Sequence, residues 1–167
     1  MLQIQRICCT YNTDKHGGAA AMDLDWMSRT CLAHAARSTA NLVTRHYNRY
    51  LAPLDLEVTQ AVLLGLIGAK KANSQADLAR LLGIERSTLQ RNLRLLETAG
   101  LVEKKQAGGN RIRPELTKAG EERFKAAYAA WQRAQNSLSS ALEDPGAEAI
   151  RDHLKALRKA THKAETP

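Results

Sequence analysis

The chain begins with a long segment that carries apolar residues on two sides of a helix. Residues 22–51 predict one continuous helix that ends before Pro53. The first apolar side carries Leu24, Met27, Cys31, Ala35 and Leu42, and the second carries Val43, Tyr47 and Leu51. Because a single lobe can cover only one side, this pattern indicates a helix that packs against its own domain and against a partner chain.

Three shorter helices are predicted next. The stretch EVTQAVLLGLIGA, residues 57–69, is strongly apolar and predicts a buried second helix. The stretch NSQADLARLLG, residues 73–83, predicts a third helix, in which Ser74 precedes Asp77 as in a capping box and Gly83 ends the helix. The stretch RSTLQRNLRLLETAG, residues 86–100, predicts a fourth helix that ends at Gly100.

A hairpin and two further helices complete the pattern. LVEKK and RIRPEL predict short strands around the glycine-containing loop QAGGN, and Pro114 marks the second strand as an edge. Residues 116–144 predict a long helix with apolar residues spaced by close to 3.5 positions, among them Phe124, Tyr128 and Trp131. The last helix follows Pro145 and carries Ile150, Leu154 and Leu157 on one face.

The fourth helix has two chemically different sides. At about 100° per residue, Leu89, Leu93 and Leu96 fall on one side. The opposite side carries Ser87, Arg91 and Arg94, flanked by Thr88 and Gln90. The leucines are therefore predicted to anchor the helix, while the side that points away carries hydrogen-bonding groups.

Charge changes the interpretation of this helix. The formal net charge is +8, and residues 70–113 hold ten Lys and Arg against four Asp and Glu. A solvated basic face would explain this excess, and so would a face that binds a polyanion. Two helices joined by a glycine turn and followed by a basic hairpin form the layout of a winged helix-turn-helix. Arg, Gln, Ser and Thr are residue types that read base edges or hold phosphates, so the layout favours DNA.

The sequence also resembles a known family. SQADLARLLGIERSTLQRNLRLLETAGLV, followed by LTKAGEERF, is similar to the MarR family of bacterial transcription regulators, over roughly residues 31–142. The resemblance implies a homodimer formed by the first and last helices, and a small-molecule or oxidant signal that weakens DNA binding. It also implies that one set of side chains faces DNA: Arg86, Ser87, Thr88, Gln90 and Arg91.

Further DNA contacts are predicted around this set. They comprise Arg94, the start of the third helix at Ser74 and Gln75, and the hairpin arginines Arg111 and Arg113, which could reach a minor groove or the backbone. The sequence departs from the family at the wing tip, where Asn110-Arg111 replaces the family's Asp-x-Arg.

Cys31 admits two interpretations. The hydroperoxide-sensing branch of the family has a reactive cysteine near the start of the first helix, but Ala33 takes the matching position when residues are counted back from Tyr47. Since Cys31 falls on an apolar face, it is predicted to be structural, and an oxidant-sensing regulator that uses Cys31 is the alternative. A winged helix used for protein contact is a second alternative, but it predicts an apolar outer face on the fourth helix.

The remaining expectations concern organisation and chemistry. We expect a disordered leader at 1–22, an N-terminal dimerisation helix at 23–52, a winged helix-turn-helix domain at 53–117 and C-terminal dimerisation helices at 118–167. The fold class is therefore mostly α, with a small β-hairpin wing. We expect a cytoplasmic repressor that binds a pseudo-palindromic double-stranded operator and an unidentified small-molecule effector, with no membrane partner, no cofactor and no enzymatic activity. The five histidines show no metal-ligand spacing, so no metal site is predicted.

Overall fold

The structure is a computed structural model that describes residues 26, 29–72, 74–106 and 112–165. It forms two compact units, residues 1–40 and 41–167. Several predictions fall outside the described residues, namely those on the leader 1–22, Leu24, Met27, Asn110 and Arg111.

Six helices and one hairpin follow each other along the described chain. The elements are α1 (Leu32–Leu51), a short 3₁₀ helix (Ala52–Leu54), α2 (Val58–Gly68), α3 (Gln75–Leu82), α4 (Arg86–Thr98), β1 (Val102–Gln106), β2 (Ile112–Leu116), α5 (Lys118–Ala141) and α6 (Gly146–Glu165). The prediction of a mostly α fold with a small hairpin is confirmed. The prediction of one continuous helix over 22–51 is wrong, because Cys31 is not helical and α1 begins only after it.

The core lies around α2 and α4. Its five largest fully buried side chains are Leu51, Leu63, Leu64, Leu89 and Leu96. The long helix α5 contributes mainly alanines to this core, at Ala127, Ala130 and Ala134. Because these side chains are small, the backbone of α5 can approach the core closely, and Phe124 packs against the core as a partly buried residue.

The two helix ends predicted from capping signals are confirmed. The Ser74 hydroxyl accepts a hydrogen bond from the backbone N–H of Asp77 at 3.1 Å, and Gly83 ends α3 with φ of +65°. Gly100, with φ of +68°, follows α4. Only glycine adopts this left-handed conformation without strain, so both turns are set by the sequence.

The hairpin is tied to the start of α5. Strands β1 and β2 are antiparallel, with Val102 opposite Leu116 and Lys104 opposite Pro114. With two strands, both are edges, as the proline predicts. A Cβ atom at Gly120 would overlap the carbonyl oxygen of Leu101, so the first turn of α5 needs a glycine where it crosses the beginning of β1.

Among the described residues, no single helix is long and apolar enough to cross a membrane. One pair of segments bent by 72°, Leu32–Leu54 with Val58–Gly68, meets the length and composition requirement together.

Candidate nucleic-acid interface

One side of α4 is part of the core. Its buried residues are Leu89, Asn92, Leu93 and Leu96. The Asn92 side chain donates a hydrogen bond to the backbone carbonyl of Thr88 at 2.9 Å, so this buried polar group is satisfied within the helix. The buried side fixes the rotation of α4 and thereby determines which residues face solvent.

The opposite side of α4 forms a polar, concave surface. Ser87, Gln90, Arg91 and Arg94 line it together with Leu95 and Thr98, around a volume of about 460 Å³. Arg86 and Thr88, at the start of the helix, are also exposed. The six side chains predicted on α4 therefore lie on its solvent side, and we call this surface the α4 face.

The arginines of the α4 face have no carboxylate within ion-pair distance among the described residues. Within the ranges that the structure describes, Arg86, Arg91 and Arg94 form no ion pair. The α4 face therefore offers hydrogen-bond donors and net positive charge to a ligand, in a shape that is open to solvent.

The lysines of the hairpin behave differently. The Nζ atom of Lys104 lies 2.9 Å from a carboxylate oxygen of Glu97. The Nζ atom of Lys105 lies 3.2 Å from a carboxylate oxygen of Glu103 and 3.3 Å from one of Glu115. The hydrogen bond that Lys105 donates to Glu103, followed by the one to Glu115, raises the pKa of Lys105 above its ordinary value. These two charges are thus partly neutralised within the protein.

The start of α3 adjoins the α4 face. Gln75, the first residue of α3, lines a second concavity of about 170 Å³ together with Gln90 and Arg94 of α4. Ser74 is exposed, although its hydroxyl already caps the helix. The structure therefore brings Gln75 next to the α4 residues, while Ser74 lines a separate small cavity with Gln75.

Arg113 occupies a different place from its neighbours in the predicted set. Its side chain is half-buried and lines a small cavity with Lys70, Ser74 and Gln75, at the corner between α2 and α3. The Arg113 Nε atom is buried and has no hydrogen-bond partner in the described part of the chain. The pattern along the sequence does not indicate this burial, and it does not single out Lys70.

Cys31 lies directly before α1. Its backbone carbonyl accepts from the N–H of Ala35 at 3.1 Å, and its Sγ accepts from the N–H of His34 at 3.4 Å. The thiol is half-exposed. Cys31 therefore caps α1. It is not part of an apolar helix face, contrary to the prediction from the sequence pattern.

An apolar groove lies between α2 and α5. Its volume is about 240 Å³, and its lining is Ala61, Val62, Gly65, Leu66, Phe124, Ala127, Tyr128 and Trp131. The rings of Tyr128 and Trp131 are stacked, with centroids 5.8 Å apart. A Cβ atom at Gly65 would lie 2.9 Å from the Phe124 ring, so glycine makes room for that ring. The helical spacing of the aromatic residues was visible in the sequence, but the surface of α2 that faces them was not.

Comparison with known proteins agrees with this geometry. Residues 54–111 match the model of the MarR family, a segment that runs from the 3₁₀ helix through α4 and β1. The DNA complex of the Mycobacterium tuberculosis transcriptional regulator MosR is 27% identical, with a TM-score of 0.70 over 81% of this chain and 98% of that one. Over residues 54–111, and in its fold, the chain is therefore similar to the DNA-binding transcription regulators of the MarR family.

Two other solved structures show the same MarR-family fold. A M. tuberculosis MarR family protein in complex with p-aminosalicylic acid is 26% identical, with a TM-score of 0.55 over 78% of this chain and 98% of that one. A mutant of E. coli MarR with operator DNA is 21% identical, with a TM-score of 0.68 over 79% and 96%, and supports the fold alone. No curated protein matches the chain significantly.

Proposed function

We propose that this chain is a cytoplasmic, homodimeric repressor that inserts α4 into the major groove of a pseudo-palindromic operator. One observation carries the proposal: the α4 face presents arginines without ion pairs beside hydroxyl and amide groups, on a helix whose other side is anchored in the core. The major groove of B-DNA, about 12 Å wide, accepts one α-helix. The MosR structure in complex with DNA supports the same use of the fold.

In this proposal, different side chains of the α4 face contact the bases and the phosphate backbone. Gln90 and Arg91 have the donors and acceptors that recognise adenine and guanine edges, and Ser87 and Thr88 can bind either bases or phosphates. Arg86 and Arg94 supply charge for the backbone, together with Ser74 and Gln75 at the start of α3. All of these side chains lie within residues 53–117, which we propose as the DNA-binding domain.

The first test is selection of a binding sequence. The full-length chain is incubated with random-sequence duplexes, and the retained duplexes are amplified and sequenced. We expect an inverted repeat whose half-sites are about 10 base pairs apart, because paired recognition helices contact the same side of the duplex about one helical turn apart. Retention without any sequence preference would contradict the assignment of α4 as a base-reading helix.

The proposed dimer uses α1 and α6. None of the residues in α6 is buried, and Leu154 on its apolar face is 55% exposed. On α1, Leu42 is 57% exposed, although Tyr47 and Leu51 on the other side of the helix are buried. A symmetric pairing of these helices would cover both apolar surfaces and fix the distance between the two copies of α4.

Light scattering tests the dimer. We expect a dimer for the full-length chain at micromolar concentration, and a monomeric or poorly folded protein after truncation behind Asp144. The truncated chain should lose far more affinity for the selected operator than for random DNA. A well-behaved full-length monomer that binds the operator tightly would contradict the dimer.

The proposed effector site is the apolar groove between α2 and α5. Its aromatic wall suits a small planar molecule, and the M. tuberculosis family member with p-aminosalicylic acid supports an aromatic ligand. Binding there would act on α2, which packs beside α3 and α4. Repression would be relieved if the ligand favours an arrangement of the lobe that fits DNA less well.

Fluorescence of Trp131 can report the effector. The chain has two tryptophans, so the Trp26→Phe variant leaves Trp131 as the reporter. We expect salicylate or a related aromatic compound to change the emission saturably and to weaken operator binding. The exposed Val62→Phe substitution, which narrows the groove, should abolish both effects and leave operator binding intact.

In this proposal Cys31 has a structural role as the cap of α1, and the oxidant-sensing alternative is tested directly. The Cys31→Ser variant should bind the operator and respond to peroxide as the parent does, because a hydroxyl caps a helix at least as well as a thiol. Loss of a peroxide response in this variant alone would make the chain a redox switch.

A further inference from the structure

The corner between α2 and α3 holds a small cavity with two cationic side chains in its wall. The cavity has a volume of about 20 Å³, close to that of a single water molecule or one oxygen atom of a larger group. Lys70 and Arg113 are the charged residues of its wall, and no Asp or Glu contributes to it. Over the residues that the structure describes, neither cation forms an ion pair.

The Arg113 side chain is short of an acceptor. Its Nε atom is buried and has no hydrogen-bond partner among the described residues, whereas buried donors in proteins are nearly always hydrogen-bonded. A buried N–H without an acceptor is unfavourable, and a guanidinium raises the strength of any hydrogen bond that it makes to an anion. The group that completes this cavity is therefore an oxygen acceptor, and the two nearby charges favour an anionic one.

The position of the cavity indicates which anion is available. Gln75 belongs both to the wall of this cavity and to the concavity that it shares with Gln90 and Arg94. The cavity is therefore next to the concavity that adjoins the α4 face, with Gln75 between the two. Ser74 and Gln75 also place the positive end of α3 at its rim, which adds to the attraction for negative charge.

We propose that Lys70 and Arg113 together hold one backbone phosphate of the DNA beside the base pairs that α4 contacts. This inference rests on the proposed DNA binding. One phosphate oxygen enters the cavity and accepts from Arg113 Nε, while the exposed Lys70 ammonium approaches the phosphate from outside. Arg113 thus links β2 of the wing to the start of α3 through the DNA backbone.

The experiment compares single phosphates with single side chains. The selected operator is synthesised with one neutral methylphosphonate at a time, and its affinity is measured for the parent and for the Lys70→Gln and Arg113→Gln variants. The matched control is Lys125→Gln, which removes one exposed charge on α5 that also lacks an ion pair among the described residues. Thermal unfolding of each variant shows whether it is folded.

For the parent, we expect one phosphate in each half-site whose neutralisation weakens binding about tenfold, the usual scale for a charge-assisted hydrogen bond. The same neutralisation should weaken binding clearly less in either variant than in the parent, because one of the two contacts to that phosphate is already lost. Each variant should also reduce the slope of log K against log salt by about one per half-site, unlike Lys125→Gln.

Two results would overturn the inference. If both variants lose the same affinity as the parent at every neutralised phosphate, the cavity holds water. The two cations then contribute to the stability of the fold or to the overall positive potential of the protein. If Lys70→Gln, an exposed and well-folded variant, has the parent's affinity and salt slope, Lys70 touches no phosphate. A parent that selects no duplex at all would instead contradict the proposed function itself, and this inference with it.

Discussion

The α4 face and the hairpin are both basic in sequence, but they offer different amounts of charge to a ligand. On α4 the exposed arginines have no carboxylate partner among the described residues. On β1 the lysines are held by Glu97, Glu103 and Glu115 at 2.9–3.3 Å. A phosphate that approaches Lys104 or Lys105 has to compete with these carboxylates, whereas one that approaches α4 displaces only water and counterions.

The difference shows that local charge density does not locate a polyanion site by itself. Residues 70–113 carry a net charge of +6 as a block. The hairpin brings Glu103 and Glu115 to Lys105, and the buried leucines place Arg91 and Arg94 on the solvent side of α4, where neither forms an ion pair with a described residue. Secondary structure therefore decides which cations remain available.

The difference between the α4 face and the hairpin predicts that substitution of Arg91 causes the largest loss of operator affinity. Arg91→Ala should weaken operator binding by about 1–3 kcal/mol, because it removes an unpaired side chain that can contact a base edge bidentately. Lys104→Ala should cost less than about 1 kcal/mol, since Lys104 is engaged with Glu97 on the surface. A mobility-shift titration on the selected operator measures both. If both variants lose the same operator affinity, the ion pair between Lys104 and Glu97 breaks when the protein binds DNA.

A moderate increase in non-specific DNA affinity is expected when the carboxylate partners of Lys105 are removed. The double variant Glu103→Gln, Glu115→Gln removes both partners of Lys105 and should raise non-specific DNA affinity, with a salt slope steeper by up to about one per chain. The control is Glu121→Gln, Glu122→Gln, which makes the same change in net charge at exposed positions of α5. If the control has the same effect, the gain comes from total charge and not from Lys105.

The smallest effect concerns pH. The carboxylates raise the folded-state pKa of Lys105 above its ordinary value of 10.5, so their contribution is fully present below that value and is lost as pH rises through the folded pKa. Between pH 6 and 9 we expect no change from this group. An NMR titration of the Lys105 side chain should show its midpoint above that of the Glu103→Gln, Glu115→Gln variant. Coincident midpoints would mean that the pairs do not persist in solution.

Much of the fold could be predicted from the sequence because its signals are local. Periodicity located α2 to α6, Ser74 and Gly83 bounded α3, and the glycine-rich loop between two short strands indicated the hairpin. The prediction failed at Cys31, where apolar spacing continued through a residue whose thiol caps the next helix. Periodicity shows which residues share a face, but it does not show where a helix is interrupted.

The candidate site was predictable to the extent that it lies on one helix. The phase of α4 identified its exposed residues, since the leucines alone fix the rotation. The cavity at Arg113 depends on the register of β2 against the corner of α2 and α3, and the apolar groove depends on packing between helices some sixty residues apart in sequence. Both are properties of tertiary packing, which a pattern along one segment does not contain.

The junction between α4, β1 and α5 has a mechanical consequence. The Thr117 side chain donates to the carbonyl of Gly100 at 2.6 Å, the Thr117 N–H donates to Leu101 at 3.1 Å, and Gly120 packs against that same carbonyl. The first turn of α5 is thereby clamped to the end of α4. At 1.5 Å per residue the 24 residues of α5 form a lever about 36 Å long. By geometry alone, a tilt of about 5° at the clamped end corresponds to a displacement of about 3 Å at the far end of α5.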